Sequence, residues 1–273
     1  MKVYINGEFR DANEPALLVS DHGFTVGDAV FETIKTIDSV PYALTRHLER
    51  LRRSAAGLGL PMPPNDLGEA VGELLTVEPL KGLGRIRLTW SGGPGPAGSL
   101  RAHPLEPTLV ISHTSAPTPA PRARVVTVPY PRNERSPLSG IKSTSYAENV
   151  LALSYARERG GDEAIFADTQ GRLAEGSGSN IIIFDGINFI TPSLDCGVLA
   201  GTARGLAIEW FGVHEGEIPL HSLTSAKSVL LTSSLRDLQL VSHVDGVEVA
   251  VTQDAIALSE EFSARLLKEV DPR

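Results

Sequence analysis

Residues 139–153 read SGIKSTSYAENVLAL. Lys142 follows Gly140 and Ile141 and stands just before a run whose apolar spacing changes. Val150, Leu151 and Tyr155 fall at helical spacing from Tyr146, which predicts a helix. Ser143, Thr144 and Ser145 are its candidate N-caps. A lysine at a strand-to-helix junction is, on its own, an ordinary solvated residue. Two chemical properties set it apart from arginine. Its amine can lose a proton when desolvated, and the neutral amine can then attack a carbonyl to form a Schiff base.

The rest of the 273-residue chain fits a water-exposed globular protein of one large or two modest domains, with 41% hydrophobic and 21% charged residues. Net charge is −8, and the only basic run, RHLERLRR (46–53), alternates with apolar residues as an amphipathic helix does, so nucleic acid is a poor partner. The single cysteine, Cys196, excludes an internal disulfide and a cysteine-based zinc site. No apolar stretch approaches membrane-spanning length, and MKVYINGEFR reads as strand rather than signal peptide, so a cytoplasmic protein is expected.

Asn6-Gly7 between apolar runs predicts a hairpin, and 29–44 reads as two strands around IDSV. Helices are expected over 45–60, with Thr45 as N-cap, and over 66–77. GRIRLTW and PTLVISH are strands flanking a long Gly/Pro-rich loop, 91–107. TSAPTPAPRAR (114–124) is a stiff, proline-rich connector and divides a small N-terminal domain, 1–113, from a larger one, 125–273. Beyond it come strands VVTVPY, DEAIFAD, NIIIF, NFITP, SVLLTSS and LQLVSHV, with helices at 202–212 and at the C-terminus. The expected class is mixed α+β.

Three stretches in the second half surround an anionic, planar ligand in type if not yet in space. RLAEGSGSN (172–180) places Glu175 before a small-residue turn that can approach a ring closely. VLAGTARGLAIEW (198–210) places Gly201-Thr202 at a helix N-terminus, where exposed N–H groups and the helix dipole suit a phosphate. LLTSSLRD (230–237) ends a strand in hydroxyls. Pyridoxal phosphate needs such a set: a lysine for its aldehyde, a carboxylate for its ring nitrogen, and a phosphate cradle.

The order of these motifs resembles the class IV (fold type IV) pyridoxal 5'-phosphate enzymes, which include D-amino acid transaminases, branched-chain aminotransferases and aminodeoxychorismate lyases. SDHGFTVGDAVFETIKT (20–36) and HLERL (47–51) are similar to that family's N-terminal signatures, and the resemblance covers nearly the whole chain. It implies a two-domain fold: a small α/β domain, then a larger one with a barrel-like sheet and helices. It puts Lys142 on the Schiff-base lysine, Glu175 on the ring-nitrogen carboxylate and Arg50 on the phosphate-binding arginine. Leu199 falls on the ring-packing position, Gly201, Thr202 and Ala203 on the phosphate turn, and Ser234 on a second phosphate contact. It also implies a homodimer whose site lies at domain and subunit boundaries.

Three positions depart from the pattern. Ala203 lacks a hydroxyl common there, Phe31 replaces a tyrosine that helps hold the substrate carboxylate, and Leu235 stands where a small or hydroxyl residue is usual. In the long loop, Arg101 and His103 of SLRAH resemble the pair that grips the carboxylate in D-amino acid transaminases. Arg236 is another candidate. The expected reaction is ping-pong transfer of an amino group between an amino acid, a D-amino acid by preference, and a 2-oxo acid. The alternatives are an aminodeoxychorismate lyase, releasing pyruvate and 4-aminobenzoate, and a branched-chain L-amino acid aminotransferase.

Overall fold

A computed structural model describes residues 1–273. The chain forms two compact units. The first comprises Met1–Thr118, Ile141–Tyr146 and Glu269–Arg273, and the second Pro119–Gly140 and Ala147–Lys268. The chain thus passes between units near the expected connector, but two later segments return to the first. The ends of 114–124 are themselves strand residues.

The first unit contains β1 (Lys2–Ile5), β2 (Glu8–Asp11), a one-turn α1 (His22–Thr25), β3 (Ala29–Ile37), β4 (Val40–Pro41), α2 (Leu44–Leu58), α3 (Leu67–Val77), β5 (Leu83–Ser91) and β6 (Leu109–Ser115). Its sheet runs β2-β1-β6-β5-β3-β4, antiparallel throughout. Asn6 and Gly7 both take positive φ, 47° and 94°, as the two-residue hairpin turn demands. Alternation does the rest. Val30, Ile34, Ile86, Leu88 and Ile111 face one way and bury against Leu48, Leu51, Leu67 and Leu74 of α2 and α3. Each such side chain contributes roughly 1.5–3 kcal/mol by leaving water.

The second unit holds β7 (Arg122–Thr127), α4 (Ala147–Glu158), β8 (Glu163–Ala167), β9 (Leu173–Gly176), β10 (Asn180–Phe184), β11 (Phe189–Pro192), α5 (Thr202–Phe211), β12 (His214–Gly216), α6 (Ser222–Ser225), β13 (Ser228–Ser233), β14 (Asp237–Val244), β15 (Val247–Glu248) and α7 (Gln253–Lys268). The sheet order is β12-β11-β10-β13-β14-β7-β8-β9, with β15 paired to β14. β9 lies at the end of that order and β10 near the other end, yet only Ser177–Ser179 join them. The sheet must therefore curl, and the Gly176 N–H reaches the Ser179 carbonyl at 2.7 Å. One face is filled by aliphatics such as Ile181, Val229, Leu231 and Val241, and Phe166 packs with Ala152 and Ala156 of α4 in a second cluster.

Two expected caps are not made. Thr45 lies inside α2, and its N–H and hydroxyl both donate to the Asp271 carboxylate, at 2.9 and 2.6 Å. The C-terminal segment therefore supplies the anion that the helix start requires. Ser143, Thr144 and Ser145 do not cap α4, which begins at Ala147. The Thr144 and Ser145 hydroxyls instead donate to the Gly27 carbonyl, each at 3.1 Å.

Candidate active site

Lys142 lies on the returning strap Ile141–Tyr146, which runs beside β3 like an extra strand. Phe31 N–H donates to the Lys142 carbonyl at 2.9 Å, Thr144 N–H to the Ala29 carbonyl at 2.8 Å, and Val30 and Ser143 form an antiparallel bridge. Lys142 N–H donates to Ser54 Oγ of α2 at 3.2 Å. Both backbone groups of the lysine are thus fixed, one to a helix and one to a strand. Its Nζ stands 4.5 Å from the Phe31 ring centre and 6.0 Å from that of Tyr146, and the two rings meet edge to face.

Beside it sits a buried ion cluster. Arg50 donates to both oxygens of Glu32, Nε to Oε1 at 2.8 Å and Nη2 to Oε2 at 2.6 Å, and His47 Nδ1 donates to Oε2 at 2.7 Å. Glu32 has no solvent exposure. Its burial works to raise the carboxyl, but the charge and hydrogen bonds of Arg50, then those of His47, outweigh this and hold it below the usual carboxylate range. His47 is pushed down by burial and by the positive charges of Arg50 and Lys142, against the opposing pull of Glu32. Glu32 and His47 were not apparent as site residues in the sequence. A signal existed: Glu32 shares the inward parity of Val30 and Ile34, where an unpaired acid would be costly.

Phe31 is buried. The guanidinium of Arg87, from β5, stacks on its ring at 3.4 Å. Burial pushes Arg87 down to about 10. Arg101, expected at the substrate carboxylate, is engaged within the chain here. It forks onto Asp28, Nε to Oδ2 at 2.8 Å and Nη2 to Oδ1 at 2.5 Å, and donates to the Leu58 and Gly59 carbonyls at the end of α2. Here it closes a helix end and ties down the long loop. His103 is exposed.

In the second unit, Glu175 Oε2 accepts from Leu199 N–H at 2.9 Å and from Asn180 Nδ2 at 3.2 Å, while Arg132 Nε lies 3.4 Å from Oε1. Arg132, stacked over Phe166 at 4.3 Å, is a neighbour the sequence did not single out. The small-residue turn after Glu175 is pinned by Glu163, which takes Ser177 N–H, both the Ser177 and Ser179 hydroxyls, and Arg236 at 3.6 Å. Arg236 also donates to Gln239, so it is held within this network. Ser234 and Leu235 are half-buried in the adjoining turn.

Gly201 is the N-cap of α5, and no side chain caps that end. Thr202 and buried Ala203 begin the helix, so their first-turn N–H groups remain for an anion. A Cβ at Gly201 would collide with Asn180 Oδ1, and Asn180 also donates to the Leu199 carbonyl at 2.8 Å. Gly201→Ala is therefore expected to displace Asn180 and cost about 1–3 kcal/mol, read as a lower thermal midpoint. An unchanged midpoint would show that Asn180 can yield freely.

Residues 29–244 match the family model described as amino-transferase class IV. The chain belongs to the class IV aminotransferases. Over 256 residues this aminotransferase is 32% identical to a Methanocaldococcus jannaschii protein provisionally named a branched-chain-amino-acid aminotransferase, covering 90% of this chain and 88% of that one. It is 30% identical over 260 residues to the aminodeoxychorismate lyase of Bacillus subtilis, covering 90% and 87%. A D-alanine aminotransferase of Staphylococcus haemolyticus is 28% identical over 275 residues, covering 91% and 90%. Among solved structures, the fold IV-transaminase CpuTA1 of Curtobacterium pusillum superposes with a TM-score of 0.81 at 32% identity, covering 95% of this chain and 93% of that one. The two-unit α+β fold of type IV expected from the motif order is the fold of this aminotransferase.

Proposed function

We propose that this aminotransferase uses pyridoxal 5'-phosphate to move an amino group between an α-amino acid, D-alanine-like donors foremost, and a 2-oxo acid. The observation that carries the reading is Lys142, an amine with both backbone groups pinned and its Nζ set against Phe31 and Tyr146. The residues fit the cofactor. An uncapped helix start at Gly201, whose Cα position leaves no room for a side chain, suits the phosphate. Glu175, with Arg132 beside it, suits a protonated ring nitrogen.

When bound, the cofactor supplies an aldehyde that takes up amines and a cationic ring that accepts the electron pair left at Cα. Lys142 would hold the aldehyde, and its amine, once free, would be the base that moves the Cα proton. Glu175 would keep the ring nitrogen protonated. Arg50, held by Glu32 through Nε and Nη2, would be the phosphate's arginine.

The D-preference draws on the 28% identity to a D-alanine aminotransferase. A second reading, the lyase, draws on the 30% identity to the Bacillus subtilis enzyme. The homodimer draws on exposed apolar side chains that a lone protomer would leave in water, among them Val19 at 84% and Phe24 at 75% exposure. Mixing holoenzyme with D-alanine or L-leucine, without acceptor, and following the cofactor's visible absorption separates the readings. Conversion by D-alanine alone is the expected result. Conversion by L-leucine alone selects the branched-chain reaction. Inertness to both, with pyruvate released from aminodeoxychorismate, selects the lyase.

A further inference from the structure

The chain leaves α7 at Lys268, and the segment Glu269–Arg273 belongs to the first unit. It lies on the start of α2, where successive residues of the segment each take a bond. Ala43 N–H donates to the Val270 carbonyl at 2.8 Å. Thr45 N–H and hydroxyl donate to the Asp271 carboxylate, and Arg46 Nε donates to the Pro272 carbonyl at 3.0 Å. Pro272 is buried, while Asp271 is exposed. α2 has no side-chain cap of its own and no acid in its first turn. Ala43, just before it, takes a left-handed φ of 52°, which a residue with a Cβ keeps only where its surroundings hold it.

We infer that Asp271 is a positioning residue that sets the start of α2 and, through it, Arg50, an inference that rests on the reading above that gives Arg50 the cofactor phosphate. The route is a continuous set of hydrogen bonds. Ala43, pinned through its N–H by Val270, accepts His47 N–H at 3.1 Å. His47 Nδ1 donates to Glu32 Oε2 at 2.7 Å, and the same oxygen takes Arg50 Nη2. His47, Arg50 and Ser54 are spaced for one face of the helix, and Ser54 takes the Lys142 N–H. A first turn that frays or shifts therefore displaces one partner of the buried carboxylate that orients Arg50. Packed interiors pass such displacements on, and charged hydrogen bonds weaken when their geometry is lost. The Asp271 charge opposes the partial positive charge of the helix start, so the segment supplies both the fastening and the anion. Its effect falls on the phosphate end of the cofactor, because that is what Arg50 serves.

The test dialyses holoenzyme against graded pyridoxal phosphate, well below the thermal midpoint of every variant, and reads the concentration that keeps half of the visible absorption. Asp271→Ala is expected to raise that concentration about tenfold. Asp271→Asn keeps a neutral acceptor and should raise it about threefold. Retention of pyridoxal, which lacks the phosphate, should change by less than about twofold, whereas general loosening weakens both. Arg273→Ala, in the same segment, should match wild type. Arg50→Lys should weaken retention of pyridoxal phosphate by itself, and adding Asp271→Ala to it should weaken it by less than about twofold more, since both act through one guanidinium. Wild-type retention in Asp271→Ala overturns the inference, as does equal weakening of pyridoxal and pyridoxal phosphate, or full additivity with Arg50→Lys. Undiminished retention of pyridoxal phosphate in Arg50→Lys refutes the reading of Arg50, and the positioning route falls with it.

Discussion

Lys142→Ala should leave a folded protein whose turnover of amino donors falls by at least about four orders of magnitude. The fold survives because the strap is held by main-chain bonds. The Phe31 N–H still reaches the residue 142 carbonyl, and the residue 142 N–H still reaches Ser54 Oγ. On the proposed reading, what disappears is one amine that would do two jobs, holding the aldehyde and carrying the proton. The two losses can be read separately. Borohydride treatment of wild-type holoenzyme should fix the cofactor's mass on the peptide containing Lys142, and no peptide of the variant should carry it. A small external amine should restore part of the proton transfer and none of the covalent attachment. Labelling of Lys35, a buried lysine of the same unit, would move the reaction to a different residue. Full turnover in the variant would remove Lys142 from the mechanism altogether.

Where the chain's local signals were strong, the fold was legible. Asn6-Gly7 specified a turn that only positive φ can close, and alternation in GRIRLTW separated core from open face. The motif order carried the family, because several short stretches had to occur together in sequence. What could not be read were pairings between distant positions. Arg101 lies 73 residues from Asp28, and Asp271 lies 226 residues from Thr45. No local preference encodes either contact, so the arginine looked available and the threonine looked like a cap. The strap posed the same difficulty. Six residues that precede a helix in the chain bridge to β3 instead, and their hydroxyls serve that contact.

Replacing Arg50 by methionine should destabilise the protein by about 3–5 kcal/mol at neutral pH, because it leaves the Glu32 charge buried with His47 alone. For a chain of this size that corresponds to a fall of roughly 10 °C in the thermal midpoint. The pH dependence identifies the cause. In the wild type, Glu32 is held below the usual carboxylate range, so its contribution is complete above the unfolded value near about 4.3 and is lost as pH falls through the folded value. His47 is depressed too, so its contribution is complete above about 6.5 and is likewise lost on acidification. Removing Arg50 takes away the largest influence lowering Glu32 while the burial that raises it remains. The variant's carboxyl then titrates above the usual range, and protonation relieves it. Its deficit relative to wild type should therefore be greatest at neutral pH and shrink towards pH 5. Adding Glu32→Gln should recover part of the loss at neutral pH, since the uncompensated charge goes with it. A deficit that stays constant from pH 7 to pH 5 would mean that lost packing of the arginine stem, and not the buried charge, sets the cost.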